Sequence, residues 1–517
     1  MDLIAAEDYP LQIPYVKIIG GYKSGKDFVM AAADSNVQSL PTNKKDYRAI
    51  DIEVIYPTEK QNPYFKNYQN FKMTTTFEDA SLNVLNGFGY EAVTGAIMYA
   101  QGTSSLEYPV KNLRVKLKGG KIKVRPDLEA VNLITFKADF MESSGSHNTG
   151  AANFIDTVYD YAGMETPGQA YFEDESIVTC IKGHPCVIFW SKTGEPGTFE
   201  YIGKYNLNLD KATPEPFGFK NVPEEYDASA SEKFGWNEDG TNSIFCFEFL
   251  DNNVKVCNFL SDEISNANPD LKTEEDRYYD TWYGTRINED KKSVPGWCIG
   301  FESRHPEDKV GLHDADALWP LASWLNSLYY LYKQELAEGK KPTDVKKIYE
   351  YTEALTFDEN AIYYIKNEDG DWEIAYPLES NFSDGTYYTR ILLRSEYEMD
   401  SIRRFKNEYQ EYLDPDFLLS YYVITEALLM ADSRVKNMMI ATWGKEHRTF
   451  KLTDGTEKTV YNYIWYPIFY DMDTMLGLDN IGYVNKHYYD EDTTETVFNG
   501  DEVLWKFVRD ALPEEVD

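Results

Sequence analysis

Apolar and polar residues alternate along much of the first two hundred positions. YRAIDIEVIYP, NLRVKLK (112–118) and YIGKYNLNLDK (201–211) put apolar side chains at every second residue, the period of a half-buried strand. YVKII, NLITFKADF (132–140) and PCVIFW (185–190) are further short runs of strand character. Between them AANFIDTVYDYAG (151–163) changes to helical spacing and stops on Gly163. The pattern predicts a β-rich lobe over 46–215 with one main helix. Residues 1–45 form an extension or the first part of that lobe.

Residues 216–400 are turn-rich, with clusters such as NEDGTN and DEISNANPD around strands at SIFCFEFL and GWCIGFES. From Leu318 the spacing becomes helical and runs to Gly339. SIRRFKNEYQEYL (401–413) is a charged helix, and Asp414 or Asp416 caps the next one, DFLLSYYVITEALLMAD. YIWYPIFYDMD returns to strand. The fold class expected is α+β, with a helix-rich second lobe over 401–517 and an inserted irregular region over 216–400 joining it.

Composition narrows the partners. The chain of 517 residues carries 87 acidic and 51 basic residues, a net charge of −36, so it repels nucleic-acid phosphates and anionic lipid as general partners. Its 41 Tyr and 27 Phe exclude a disordered chain and suit subunit contacts, because Tyr joins an apolar ring to a polar tip. Five cysteines without a CxxC pair indicate neither a zinc ribbon nor a disulfide framework. No apolar run reaches the ~18 residues of a membrane span. The opening MDLIAAEDYP lacks the basic and apolar regions of a secretory signal, so synthesis in a cytoplasm is expected.

The sharpest chemical pattern is ADSRVKNMMI, with Asp432 and Asn437 five residues apart after an apolar helix, followed later by Asp471-Met472-Asp473. Phosphoryl transfer needs a carboxylate beside the attacking hydroxyl and oxygen ligands for magnesium. Asp432 suits the first role; Asn437, Asp471 and Asp473 suit the second. The same residues serve equally as a cap and a solvated turn, and spacing alone does not separate the two. GGYKSGKD (20–27) has Gly20, Gly25 and Lys26 at phosphate-loop spacing, but Asp27 replaces the magnesium-binding hydroxyl, and a plain turn is the expectation. His313-Asp314-Ala315-Asp316 reads as a helix start.

Taken together, five segments are more specific. QGTSSLEYPVKNLRVKLK (101–118), KADFMESSGSHNTGAANFIDTVYD (137–160), HPCVIFW with FEYIGKYNLNLDK, FLLSYYVITEALLMADSRVKNMMI and WYPIFYDMDTMLGLDNIGY resemble, in order, the signatures of the spore-coat protein H (CotH) kinase family. The resemblance implies an atypical protein-kinase-like bilobal fold, β-rich N-lobe and helix-rich C-lobe with insertions, holding ATP and Mg2+ between the lobes. It implies Asp432 as catalytic base, Asn437, Asp471 and Asp473 as metal ligands, and Arg114, Lys111 or Lys116 on the basic strand as phosphate contacts. Alternation sets Arg114 and Lys116 on one face and Lys111 on the other, which favours Arg114. One departure is clear: the family's Met-Arg-Asn at the first helix stands here as His147-Asn148-Thr149-Gly150, so an expected Arg is missing. The wording of the segments is most similar to CotH-type domains in large tail proteins of gut bacteriophages, including crAss-like phages. That implies a structural virion component of the distal tail, such as the muzzle, partnered by its own copies and neighbouring tail proteins. The alternative is an active ATP-dependent kinase acting on Ser or Thr of those proteins.

Overall fold

The computed structural model describes residues 12–20, 47–74, 84–85, 95–102, 104–106, 108, 110–142, 144–172, 176–219, 244–249, 285–287, 293–295, 301–305, 312–340, 363–366, 372–375, 389–390, 399–430, 433–434, 438–478 and 504–512. It is an α+β protein with a large sheet in its first part. Seven strands carry that sheet: β1 (Tyr15–Ile19), β2 (Tyr47–Ile55), β3 (Gly95–Gln101), β4 (Asn112–Lys118), β5 (Leu133–Lys137), β6 (Gly183–Ser191) and β7 (Glu200–Leu209). Their order is β1-β6-β7-β5-β4-β3-β2, and β2 pairs back onto β1, so the ring of hydrogen bonds closes. Two short strands, Phe71–Met73 and Val84–Leu85, lie beside β2. Only the β1–β6 pairing is parallel, matching Tyr15 to Val187 through Ile19 to Ser191. Closure removes the unpaired edges that an open sheet of this size would expose. Alternation works as expected: Val16, Ile18, Ile52, Val54, Met98, Leu113, Val115, Ile134, Phe136, Ile188 and Leu207 are buried in one apolar core.

Helix α1 (His147–Ala162) starts one turn before the position its apolar spacing predicts. Glu142 explains the extra turn. Its Oε1 accepts the backbone N–H groups of Ser146 and of His147 (2.8 Å), two donors that a helix start leaves without partners. Gly163 ends the helix at φ 66°, a left-handed conformation open to glycine at little cost. The short α2 (Pro167–Phe172) follows, and Gly168 lets the ring of Trp443 approach where a Cβ would collide with it.

The second part packs helices on a four-stranded antiparallel sheet. Strands β8 (Phe245–Phe249), β9 (Phe301–His305), β10 (Met439–Thr442) and β13 (Tyr466–Ile468) run in the order β9-β8-β10-β13, beside a hairpin of β11 (Lys445–Lys451) and β12 (Glu457–Tyr463). The helices are α3 (Leu312–Ala337), α4 (Asp400–Glu408), α5 (Pro415–Ala427) and α6 (Leu504–Ala511). Aromatic faces join them: Trp324 stacks on Phe405 and on Tyr412, at 5.4 and 4.8 Å between centroids, and Tyr421 stacks on Phe469 at 4.2 Å.

The apolar run before Asp432 predicts a longer helix than the fold contains. α5 is capped by Asp414, whose Oδ1 accepts from Phe417 N at 3.0 Å, and it ends at Ala427. Leu429 then adopts φ 48° and Met430 N donates back to Thr425 O, so the chain turns before it reaches Asp432. SIRRFKNEYQEYL likewise shortens to α4 and a single 3-10 turn at Tyr409–Glu411. His313–Asp316 fall in the first turn of α3. The GGYKSGKD turn after Gly20 lies outside the described residues.

Candidate functional site

The barrel's second face is polar and buried. Cross-strand register places Gln101 beside Asn112, Arg114 beside Thr135, and Lys137 and Thr135 beside Asn206 and Asn208, all on one side of β3, β4, β5 and β7. Thr135, Asn206, Asn208 and Asp210 have almost no solvent contact. Burying so many polar groups costs free energy unless they pair. Arg114 therefore holds Asp210 with two hydrogen bonds, Nε to Oδ2 at 2.6 Å and Nη2 to Oδ1 at 2.8 Å. Lys211 holds Glu248 of β8 at 2.6 and 2.8 Å and lies 4.2 Å from the centre of the Tyr470 ring. Three amide oxygens on this face, Gln101 Oε1, Asn206 Oδ1 and Asn208 Oδ1, are buried without a donor among the described residues.

The Asp471-Met472-Asp473 segment comes onto this face from β13. Phe469 and Tyr470 continue the buried run, and Asp471 turns the chain at φ 53°. Lys137, at the end of β5, donates its Nζ to Asp471 Oδ1 at 3.0 Å. His147 Nδ1 stands 3.1 Å from the carbonyl oxygen of Asp473; the carbonyl only accepts, so the proton is on Nδ1. Asn148, one residue further along α1, accepts the Met472 N–H at 2.8 Å through Oδ1 and donates Nδ2 to Asp139 Oδ1 at 2.9 Å. Asp139 Oδ2 accepts from Asn206 at 2.7 Å.

Charge on this face is set by burial and by these partners. Burial pulls the Lys137 ammonium toward its neutral form, but Asp471 beside it outweighs that and holds it above the usual lysine range. Burial pushes the Asp139 carboxyl up to about 6, against the opposing pull of Lys137 and the Asn148 amide. Glu142 is desolvated too, yet the Ser144 hydroxyl and the helix N–H groups hold it below the usual carboxylate range.

Asp432 and Asn437 lie outside the described residues, but the chain on either side of them is placed. Leu428 and Leu429 accept backbone hydrogen bonds from Leu476 and Gly477, just beyond Asp473. Met439 pairs in register with Ile468, three residues before Asp471. Between them Arg434 is buried, donating to Thr425 Oγ1 and Tyr422 O at 2.7 Å each. Both flanks of the Asp432–Asn437 stretch thus run beside the segment that bears Asp471 and Asp473. Of the basic-strand residues, Arg114 faces Asp210, and Lys111 is buried and donates to the carbonyls of Leu106 and Tyr108. Lys116 is half-buried on the same face as Arg114. A cation seen donating to Asp471 is Lys137, on the neighbouring strand β5.

Sequence reading missed Lys137, Asp139, Asn148, Asn206 and Asp210 as a group. A signal was present. T-x-K-x-D in NLITFKADF and N-x-N-x-D in YIGKYNLNLDK place amides and charges at every second position opposite an apolar face. Asn and Asp are depleted in strands, so their repetition at every second position is the signal that this face does more than meet solvent. Among the described residues no group of three or more His, Cys, Asp or Glu gathers as a metal site, and no helix is long and apolar enough to cross a membrane. No protein-family model and no curated protein matches the chain.

Proposed function

We propose that the chain is a kinase-like domain of a bacteriophage tail protein, with a phosphoryl-transfer site where the barrel's polar face meets the Asp471-Met472-Asp473 segment. The single observation that carries the site is the Lys137–Asp471 contact, which joins a barrel lysine to a strand-end acid from far along the chain. Asp471 and Asp473 offer the hard oxygen donors that suit Mg2+, with Asn437 as a third ligand by resemblance. Bound Mg2+ and ATP would supply a neutralised, transferable γ-phosphoryl group. The chain's own residues do the rest. Lys137 presents a positive charge beside the acids, and Asp432 accepts the proton of an acceptor hydroxyl.

A second reading, a tail component that keeps the fold without turnover, is favoured by a specific observation. Arg114, Lys137 and Lys211 all hold carboxylates already, and α1 opens with His147-Asn148 where the family has an Arg. Incubation with labelled ATP and magnesium separates the readings. Transfer by the parent chain that disappears in Asp432→Ala and in Asp471→Ala supports the kinase. Transfer that persists in both rejects the site, and none in the parent leaves the structural role. Mass spectrometry of purified particles tests the tail assignment, with a fixed copy number expected.

A further inference from the structure

Asn148 has an unusual pair of contacts for a helix-start residue. Its Nδ2 faces the Asp139 carboxylate at 2.9 Å and its Oδ1 faces the Met472 N–H at 2.8 Å. Asn148, Asp139 and Met472 are all buried, so neither contact is exchanged for water at no cost. The orientation of this amide is not free. Asp139 accepts at both oxygens, from Asn148 and from Asn206, and Asn206 is held in turn by its second donation to Gly145 O at 2.7 Å. A carboxylate can only accept, so the Asn148 NH2 must point at it and the amide oxygen must point at Met472.

We infer that Asn148 is a positioning residue for the proposed phosphoryl-transfer site, fixing the Met472 backbone and hence the placement of Asp471 and Asp473, with Asp139 as the group that sets its orientation. This rests on the reading of the site given above, but the hydrogen-bond relay is testable without it. The relay joins three parts of the fold: β7 through Asn206, α1 through Asn148, and the strand-end acids through Met472. Asp471 on one side of Met472 takes up Lys137, and Asp473 on the other meets His147 through its carbonyl. A shift of the Met472 amide therefore moves both acids.

The test exchanges the two partners. In Asp139→Asn, the new amide keeps its oxygen for Asn206 and turns an NH2 toward Asn148. Asn148 must then rotate, setting its own NH2 against the Met472 N–H. In Asn148→Asp at pH 8, where Asp139 is ionised in the parent, two carboxylates meet at the same contact and repel. In the double exchange Asp139→Asn/Asn148→Asp the donor and acceptor are swapped, and every contact is restored with an oxygen again facing Met472. Hydrogen exchange at the Met472 amide is the primary readout, on folded protein of matched unfolding midpoint. Each single variant should exchange about tenfold to a hundredfold faster than the parent at this amide, and the double variant should return to within about threefold of the parent. Unchanged exchange in both single variants, or a double variant faster than either, overturns the inference. Titration with Mg2+ and a nonhydrolysable ATP analogue is the second readout. Weakened binding in the singles with recovery in the double extends the role to the site. A parent chain that binds no nucleotide overturns the site reading, while the exchange result still decides whether Asn148 positions Met472.

Discussion

Two ion pairs on the same face of the barrel are built differently. Arg114–Asp210 is bidentate, with the Asp210 side chain fully buried and Arg114 only 20% exposed. Asp210 also accepts from Ala212 N at 2.9 Å, so its oxygens are saturated. Lys137 meets Asp471 through one ammonium-to-oxygen contact at 3.0 Å, the acid 21% exposed and in a left-handed turn. A planar guanidinium fork locks a carboxylate in place, whereas an ammonium is a point charge that holds it without fixing its plane. The first pair belongs to the framework. The second holds its carboxylate through one point charge at a partly exposed position.

Graded substitutions break or sharpen that contrast. Asp210→Ala, which strands Arg114 in a buried position, should cost roughly 3–5 kcal/mol in urea unfolding; a cost below about 1 kcal/mol would erase the distinction. Next in size is a pH effect at Asp139, whose charged neighbours are Lys137 two residues before it, Glu142 three residues after it and Asp471 across the interface. Its folded carboxyl titrates above the unfolded value, so the fold binds more protons than the unfolded chain between about pH 4 and 6. The stability this residue contributes then falls as pH rises through that window. Asp139→Asn should therefore gain on the parent by about 1–3 kcal/mol from pH 4 to 6 and level off above, and the opposite slope would refute the assignment. Asp471→Asn keeps an amide oxygen for Lys137 but removes the charge that pairs that buried ammonium, so it should cost roughly 1–3 kcal/mol of stability while removing Mg2+-dependent nucleotide binding. Smallest is the surface pair Arg403–Asp400, 55% and 51% exposed: Arg403→Ala should stay within about 0.5 kcal/mol of the parent.

How far the sequence was legible follows from the period of each feature. β2, β4, β5, β6 and β7 are readable because alternation is a local property of strands half-buried against a core. The parallel pairing of Tyr15–Ile19 to Val187–Ser191, which closes the barrel, left no local trace, because it depends on where two distant segments meet. α1 is one turn longer than its apolar spacing predicts because its first turn depends on Glu142, a residue outside the helix. The helix before Asp432 was read too long because Leu429, an apolar residue of good helical spacing, takes the turn. The hairpin β11–β12 carries alternation and a T-D-G-T turn, a local signal of the same kind.

The same division holds for the site. By itself the sequence determined that acids follow a buried aromatic run at YIWYPIFYDMD, that amides and charges alternate in T-x-K-x-D and N-x-N-x-D, and that the surface is acidic. Only the tertiary structure decided which charge meets which. Arg114, the basic-strand residue nearest in type to a phosphate contact, pairs with Asp210, and Lys137 reaches Asp471 across 334 positions of chain. The reason is physical. Periodicity tells which side of a strand a residue occupies, but the partner of a buried charge is selected by distance in space and by the cost of leaving it unpaired away from water, and both arise only once the barrel has closed and the second part has packed against its polar face.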